Sequence, residues 1–317
     1  MSDKSNNHGR AYEFICLNAL YQEILQFRAV TIDKNSSYYA AQKAWESTSP
    51  ELQSLLSQSA NVVARAIIDL EPLITEEGSD MLTLFLQPDS KGEEGDVRDL
   101  IVVRSNIQWE IGLSLKHNHF AVKHSRLAKN LDFGSKWFNL PCSQEYWSEV
   151  KPIFDYLEVE SRKKTYWRDL PNKDDDVYVP LLNAFANEIR RSAAINPHVP
   201  RMMTEYLIGK FDFYKVVSVD KEKTTHIFSY NLRGTLNQSS RKANPKVKIP
   251  TADLPTRIVS LDLKPSSKTT AELYMDAGWQ FSFRIHNAES RVKPTLKFDI
   301  KIIGSPISIV KIDCKWN

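Results

Sequence analysis

The sequence predicts an α+β fold, in which helices and a mixed sheet come first and a β-rich region follows. Through the first seventy residues, apolar side chains recur at three- and four-residue steps, which is typical of helices with one buried side. From residue 211 onward, apolar and polar residues alternate, as in strands with one buried face. A charge-dense stretch at 158–176 separates the two patterns. We therefore expect two domains, 1–160 and 161–317.

The individual elements follow from the same patterns. Helices are predicted at 12–28, 37–45, Pro50–Leu70, 146–157 and 179–191, and Pro50 suits the first turn of its helix. Strands are predicted at 81–87, 100–104, 108–116, 211–219, 225–232, 257–263, 279–286 and 295–303. The basic segment 120–130 is expected to form a helix or an ordered loop.

Composition excludes several classes of protein. The chain has 317 residues, of which 42% are hydrophobic and 26% charged, enough for one large core or two modest ones. With no apolar run near 18 residues and a polar start, neither a membrane span nor a secretory signal is predicted. The three cysteines (Cys16, Cys142 and Cys314) lie too far apart for a zinc finger and fit reduced thiols. We expect a cytoplasmic protein.

Charge is unevenly distributed, although the net charge is only +3. Nine acidic residues lie between Glu71 and Asp99, whereas the segments 116–136 and 221–248 are basic. A metal-dependent enzyme acting on phosphodiesters needs carboxylates for the cation and basic groups for the backbone. The alternative is two ordinary solvated faces.

A strand pair at 99–116 carries the clearest chemical signal. Residues alternate along a strand, so Glu110, Ser114 and Lys116 share one face. A two-residue turn at 106–107 places Asp99 opposite Ser114, with Cβ atoms about 4.5–5.5 Å apart, and Lys116 one step further on that face. Asp99 offers a hard oxygen ligand for a divalent cation, and Lys116 offers a positive charge for the developing anion.

Longer stretches resemble a known family. They are Asn-His-Gly-Arg-Ala-Tyr-Glu (7–13), Gly-Asp-Val-Arg-Asp (95–99), Glu-Ile-Gly-Leu-Ser-Leu-Lys-His-Asn-His (110–119), Lys-His-Ser-Arg-Leu (123–127) and Phe-Ser-Phe-Arg-Ile-His-Asn-Ala (281–288). Together they resemble the HaeIII type of type II restriction endonucleases, and the strand pair resembles the PD-(D/E)xK nuclease core, a mixed sheet flanked by helices. The resemblance implies Mg²⁺-dependent cleavage of double-stranded DNA at GGCC, in functional pairing with a cognate DNA methyltransferase. Because a palindromic target has two-fold symmetry, we also expect a homodimer.

One position departs from the PD-(D/E)xK pattern, which has an acid two residues before the lysine, where this chain has Ser114. Glu110, Asp96 or Glu13 could complete the ligand set. A first-helix glutamate often faces the metal in related folds, which favours Glu13. Glu71 is a weaker candidate. The alternatives are structural: Asp96 would shape the turn before the strand, and Glu110 would be a solvated strand acid.

Basic and amide side chains around the strand pair and near residue 285 are candidates for DNA contact, since they suit phosphates and base edges. They are His117, Asn118, His119, Lys123, His124, Arg126, Arg284, His286 and Asn287.

Two rival functions remain open at this point. The first is a PD-(D/E)xK repair nuclease without sequence specificity, which would cut random DNA uniformly. The second is a DNA-binding module that has lost catalysis, an idea motivated by Ser114.

Overall fold

The structure, a computed structural model, describes residues 2–93, 95–120, 122–238 and 247–316, with side chains described for all of these except residues 2–6, 92, 93 and 124. The helices are α1 (Ser2–Leu25), α2 (Ser36–Glu46), α3 (Pro50–Leu70), α4 (Ser90–Glu93), α5 (Phe133–Phe138), α6 (Gln144–Arg162), α7 (Val179–Ile195) and α8 (Val199–Ile208). The strands are β1 (Val30–Ile32), β2 (Leu82–Leu86), β3 (Leu100–Arg104), β4 (Trp109–His117), β5 (Lys123–Ala128), β6 (Phe213–Val219), β7 (Thr224–Tyr230), β8 (Ile258–Leu263), β9 (Thr270–Met275), β10 (Gln280–His286), β11 (Thr295–Gly304) and β12 (Lys311–Lys315). The expected mixed sheet with helices, followed by a β-rich region, is confirmed.

The chain forms two compact units, each built from separate segments. Unit 1 comprises the described residues of Met1–Phe120, Gly209–Ala252 and Ile307–Asn317, and unit 2 those of Ala121–Ile208 and Asp253–Pro306. The expected single division between residues 160 and 161 falls inside α6, in unit 2. The difference arises because three strands late in the chain join the first sheet, which local patterns cannot reveal.

Unit 1 is organised by a seven-stranded sheet in the order β1-β2-β3-β4-β6-β7-β12. The β1–β2 and β4–β6 pairs are parallel and the others antiparallel. One face of the sheet packs on α1 and α3, and the core between them includes Leu17, Leu56, Leu84, Ile111 and Val216, all fully buried. Their burial removes a large apolar area from water, which stabilises the placement of α1 over the sheet.

Helix starts in unit 1 follow from their capping residues. Ser49 accepts a hydrogen bond from the backbone of α3, and Asn35 accepts one from the backbone of α2. Both helices lie within a residue or so of their predicted bounds. In contrast, α1 begins ten residues before the predicted helix at 12–28, because its first turns are polar and add nothing to the apolar stripe.

A buried ionic cluster joins the segment after α1 to the start of β2 and the end of β3. The carboxylate of Asp80 accepts from Arg28 at 2.6 Å and from Arg104 at 2.8 Å, and all three side chains are less than a tenth exposed. Hydrogen bonds from Arg104, opposed by burial and assisted by Arg28, hold the pKa of Asp80 far below its usual range.

A chain of buried hydroxyl groups links α1, α3 and the far edge of the sheet. Tyr12 and Ser59 share a hydrogen bond of 2.7 Å, as do Ser59 and Thr225, and the indole of Trp316 donates to Thr225 at 2.8 Å. Such bonds are directional, so they fix how α3 sits on β7 more narrowly than apolar contact alone.

Unit 2 contains an antiparallel five-stranded sheet in the order β5-β11-β10-β9-β8 together with helices α5–α8. The expectation of a helix or loop at 120–130 is wrong, because 123–128 is the edge strand β5, paired with β11. Among the described side chains of this strand, Ser125 and Leu127 are buried, and the polar and basic residues beside them make the apolar alternation hard to detect in the sequence.

Candidate active site

The strand pair β3–β4 has the predicted register. Leu100 faces Leu113 and Arg104 faces Trp109, and Asp99 comes directly before the first of these pairs. The connection has four residues rather than two, 105–108, and Gln108 adopts a left-handed conformation at its end. Because both connections centre between residues 106 and 107, the longer one leaves the pairing unchanged.

Asp99 lies just before β3, and its backbone continues the sheet. Its amide donates to Leu113, and its carbonyl accepts from Gln87. One carboxylate oxygen, Oδ2, accepts from the Leu115 amide at 2.6 Å, from Lys116 Nζ at 2.9 Å and from Ser114 Oγ at 3.4 Å. The predicted meeting of Asp99 and Lys116 is therefore confirmed. Ser114 contributes as a donor that orients the carboxylate.

The ammonium group of Lys116 is held in its charged form. Burial opposes the charge, but Asp99 and, further away, Glu13 outweigh burial and raise the pKa of Lys116. The side chains of Lys116 and Asp99 remain 30% and 24% exposed, so a substrate can approach both.

Glu13 approaches the same pair from α1. Burial and, next, the carboxylate of Asp99 raise the pKa of Glu13, whereas Lys116 lowers it. Arg10 and Asp89, which form an ion pair of 2.9 Å, add weaker charges at this point. Among the candidates for the missing acid, Glu13 is thus the one that shares an environment with Asp99 and Lys116.

Lys215, which the sequence analysis missed, lies on the neighbouring strand β6. It pairs directly with Ser114, so its side chain leaves the sheet on the face that carries Asp99 and Lys116. It is only 5% exposed, and its ammonium group donates to the carbonyl of Phe120 at 2.8 Å. Burial and, secondarily, the charge of Lys116 lower the pKa of Lys215 to about 7. The sequence feature that could have identified it is a single lysine within the otherwise apolar run 213–217.

Asp96 and Glu110 belong to a separate cluster around Arg98. Asp96 receives two hydrogen bonds of 2.8 Å from the guanidinium group of Arg98, which also donates to Glu110 at 2.7 Å. The Arg98 side chain crosses Gly112, where a Cβ atom would lie 2.1 Å from it. Glu110 is six residues from Lys116 on one strand, about 20 Å at the usual rise. The structural alternatives for Asp96 and Glu110 match these contacts.

Glu71 also lies apart from the Asp99–Lys116 pair. It is fully buried, accepts from the Tyr214 hydroxyl at 2.6 Å and from the Asn237 amide at 2.8 Å, and anchors the segment after β7 to the end of α3. Burial raises the pKa of Glu71 to about 8.

The segment that follows Lys116 is engaged in intramolecular bonds. His117 Nε2 and Asn118 Nδ2 each lie 2.8 Å from the carboxylate of Asp220, and Asn118 also accepts from the Asp220 amide. His117 is largely buried, whereas His119 is exposed. These bonds connect the end of β4 to the β6–β7 turn, so His117 and Asn118 help to hold these two elements together.

The candidates for DNA contact in unit 2 differ in whether their side chains are already bonded within the protein. Lys123 donates to the carbonyl of Tyr206 at 2.9 Å and lies over its ring, while the side chain of His124 is outside the described residues. His286 contacts the carbonyl of Asn287, whose amide in turn donates within the same turn. Arg126 and Arg284 are exposed on the sheet, as described below.

The residues around the Asp99–Lys116 pair could hold a magnesium ion only in an open site, in which the protein supplies few of the ligands. Among the residues that the structure describes, no three His, Cys, Asp or Glu side chains converge as a ready cage. Mg²⁺ does not need one, since it commonly uses one or two carboxylates together with waters and substrate phosphate oxygens. The half-buried carboxyl groups of Asp99 and Glu13 match that requirement.

Comparison with known proteins defines the class of this chain as a type II restriction endonuclease. The chain belongs to the HaeIII restriction endonuclease family, which it matches over residues 9–306. It is 52% identical over 318 residues to the type II restriction enzyme HaeIII of Haemophilus aegyptius, with 100% of both chains covered. No solved structure matches it. The resemblance to the HaeIII family noted in the sequence is therefore confirmed.

Two further predictions can be compared with the described part of the chain. No described helix has the length and apolarity that a membrane crossing requires. Cys16, Cys142 and Cys314 are all free thiols.

Proposed function

We propose that the protein hydrolyses DNA phosphodiester bonds at GGCC with Mg²⁺ held by Asp99 and Glu13, and that Lys116 stabilises the reacting phosphate. The observation that carries this proposal is the 2.9 Å contact between Lys116 Nζ and Asp99 Oδ2 in a chain of this family. The effect of both charges on the pKa of Glu13 supports Glu13 as the second acid. The target GGCC rests on the family resemblance alone.

Each side chain has a separate task in this scheme. A bound Mg²⁺ would polarise the phosphoryl oxygen and acidify a water. Asp99 is oriented for this by the Leu115 amide and the Ser114 hydroxyl, which both donate to its Oδ2 atom. Lys116 brings an ammonium group to the phosphate, where negative charge grows in the transition state. Lys215, on the same face, adds a second positive charge when it is protonated.

The partners follow from the target. A short palindromic site has two-fold symmetry, which a homodimer with one active site per strand would match. Because the same short site occurs in the DNA of the cell that makes the enzyme, a cognate methyltransferase must protect it. We place both proteins in the cytoplasm, where free thiols persist.

Cleavage of a plasmid of known sequence in Mg²⁺, with mapping of the ends, tests the activity. We expect discrete fragments with ends at GGCC; uniform degradation would favour the repair nuclease, and no cleavage under varied salt and metal would favour the inactive module. Asp99→Ala and Lys116→Ala should each reduce cleavage by at least about 100-fold while DNA binding persists. Full activity in either variant would refute the assignment.

A matched pair of glutamine variants tests the choice of the second acid. Glu13→Gln should lower cleavage strongly, and raising the Mg²⁺ concentration should recover part of it. Glu110→Gln removes the same charge from the strand that carries Lys116, but Glu110 binds Arg98, so cleavage should stay near the wild-type rate. The opposite ranking would assign the site to Glu110. Ser114→Ala, which removes only an orienting donor, should have a mild effect.

A further inference from the structure

One face of the five-stranded sheet in unit 2 is packed and the other is open. The packed face carries Phe281, Phe283 and Phe298, all fully buried, and Phe283 lies 5.2 Å from the ring of Phe185 in α7. Side chains alternate along a strand, so the residues between these aromatics point away from the helices. The open face is therefore defined by the even-numbered positions of β5 and β10 and the odd-numbered positions of β11.

Four cationic side chains lie on that open face, on three neighbouring strands: Arg126 on β5, Lys297 and Lys301 on β11, and Arg284 on β10. Arg126, Arg284 and Lys301 are exposed, and Lys297 is half-buried. We call these four residues the basic sheet face.

The register sets like charges against each other. Arg126 pairs directly with Lys297, and Lys297 pairs on its other side with His286. Directly opposed side chains have Cβ atoms about 4.5–5.5 Å apart, and like charges in that position are destabilising. Asp299, between the two lysines and opposite Arg284, is an acid within the group.

Ion pairing separates these cations from many others in unit 2. Among the side chains that the structure describes, none of the four forms an ion pair with an acid. Elsewhere in the described part of unit 2, nine cations do: Lys129, Arg162, Lys163, Arg168, Arg190, Arg191, Arg201, Lys264 and Lys268. A solvated sheet face normally mixes charges of both signs. Arg126 and Lys297, directly opposed cations that form no ion pair among the described side chains, are a poor arrangement for water and a good one for a polyanion.

We propose that the basic sheet face binds the phosphate backbone of duplex DNA. This inference rests on the proposed function, which supplies DNA as the polyanion. Lys297 and Lys301 are four residues apart, about 13 Å along the strand, which corresponds to about four phosphates at 3.4 Å per nucleotide. Contacts to phosphates fix the position of a protein on the duplex without reading sequence, so the face clamps the DNA and leaves base recognition to other residues.

The test compares two double variants of the full chain with the same loss of charge. Lys297→Gln/Lys301→Gln alters the basic sheet face, and Lys264→Gln/Lys268→Gln removes two lysines of unit 2 that already pair with Glu272 and Asp175. Binding to a 20-base-pair duplex with GGCC, and to one without it, is measured by fluorescence anisotropy in EDTA between 50 and 200 mM salt.

Each lost phosphate contact lowers the slope of log K against log salt by about 0.9, which is about 8-fold in affinity at 0.1 M salt relative to 1 M. The Lys297/Lys301 variant should therefore lose about 1.8 in slope and about 60-fold in affinity, equally on both duplexes. The Lys264/Lys268 variant should retain the wild-type slope.

Equal slopes for the two variants would overturn the inference, as would a change of oligomeric state without a change of slope, which would assign the face to a second copy of the chain. Circular dichroism and the melting temperature check folding, since exposed lysine substitutions usually change stability by less than about 0.5 kcal/mol. A wild-type protein that does not cleave DNA would count against the proposed function and not against this inference, because binding is measured without Mg²⁺.

Discussion

Replacement of Lys215 by methionine should make the protein more stable and less active. Folding lowers the pKa of Lys215 from 10.5 to about 7, mainly by burial. If the unfolded chain keeps the ordinary value, linkage gives a penalty of about 4 kcal/mol at pH 7. Methionine has similar length and no charge. The hydrogen bond to the Phe120 carbonyl is lost, but Phe120 is exposed, so water can replace the ammonium group for about 1 kcal/mol. We expect a net gain of about 3 kcal/mol at pH 7.

The pH dependence has a definite sign. Between pH 7 and 10.5 the unfolded chain binds more protons at this lysine than the folded protein does, so the stability of the wild type rises with pH across that window. The advantage of Lys215→Met is therefore largest at and below pH 7 and disappears near pH 10.5. Urea unfolding at pH 6, 7, 8 and 9 measures it, and Lys301→Met, an exposed lysine, is the control with an expected change below about 0.5 kcal/mol.

The same variant has a functional readout. Lys215 shares a sheet face with Asp99 and Lys116, so its charge assists a phosphate bound there. Single-turnover cleavage at saturating Mg²⁺ should fall at least tenfold, equivalent to about 1.4 kcal/mol. A variant that is less stable than the wild type at pH 7, or an advantage that is constant with pH, would refute the reasoning about burial. Unchanged cleavage would remove Lys215 from the active site.

Three further changes test buried polar groups in unit 1. Asp80→Asn leaves two buried guanidinium groups without their carboxylate and should lower the free energy of unfolding by about 3–5 kcal/mol at pH 7. Because folding lowers the pKa of Asp80, the difference in stability between variant and wild type should shrink below about pH 4. Urea unfolding at pH 3 and 7 checks both points. Glu71→Gln should match the wild type in stability at pH 5 and exceed it at pH 9. Folding raises the pKa of Glu71 to about 8, so the wild-type protein loses stability as the pH rises from about 4.5 to 8. Equal melting temperatures at pH 9 would contradict this. Ser59→Ala breaks both hydrogen bonds in the middle of the hydroxyl chain and should lower the free energy of unfolding by about 1–3 kcal/mol, whereas a neutral result in thermal unfolding would show that the chain is dispensable.

The strand pair of the active site was predictable because its geometry is local. The alternation of β4 and the position of the turn both lie within residues 99–116, and they fix the register of β3 against β4. A loop two residues longer than expected did not disturb it. Glu13 was ranked first among the helical candidates only through the family resemblance, since nothing local brings α1 to β4.

Lys215 shows what local reasoning cannot supply. It lies about a hundred residues after Ser114 in the chain and joins it through a parallel pairing, which depends on which sheet β6 enters. The strand β5 was missed for a different reason, because an edge strand with two inward residues has too little alternation to separate it from a loop. The short elements β1 and β12, of three and five residues, give similarly weak patterns.

The return of the chain to its first sheet has a consequence during synthesis. Asp99 and Lys116 leave the ribosome early, but β6, β7 and β12 follow only after most of unit 2 has been made. At about 5–20 residues per second, β12 emerges roughly 10–40 s after Asp99. A polypeptide that ends before residue 213 lacks β6, the neighbour of β4 that carries Lys215. The interleaved topology thus completes the sheet that carries Asp99, Lys116 and Lys215 only once β12 has been made.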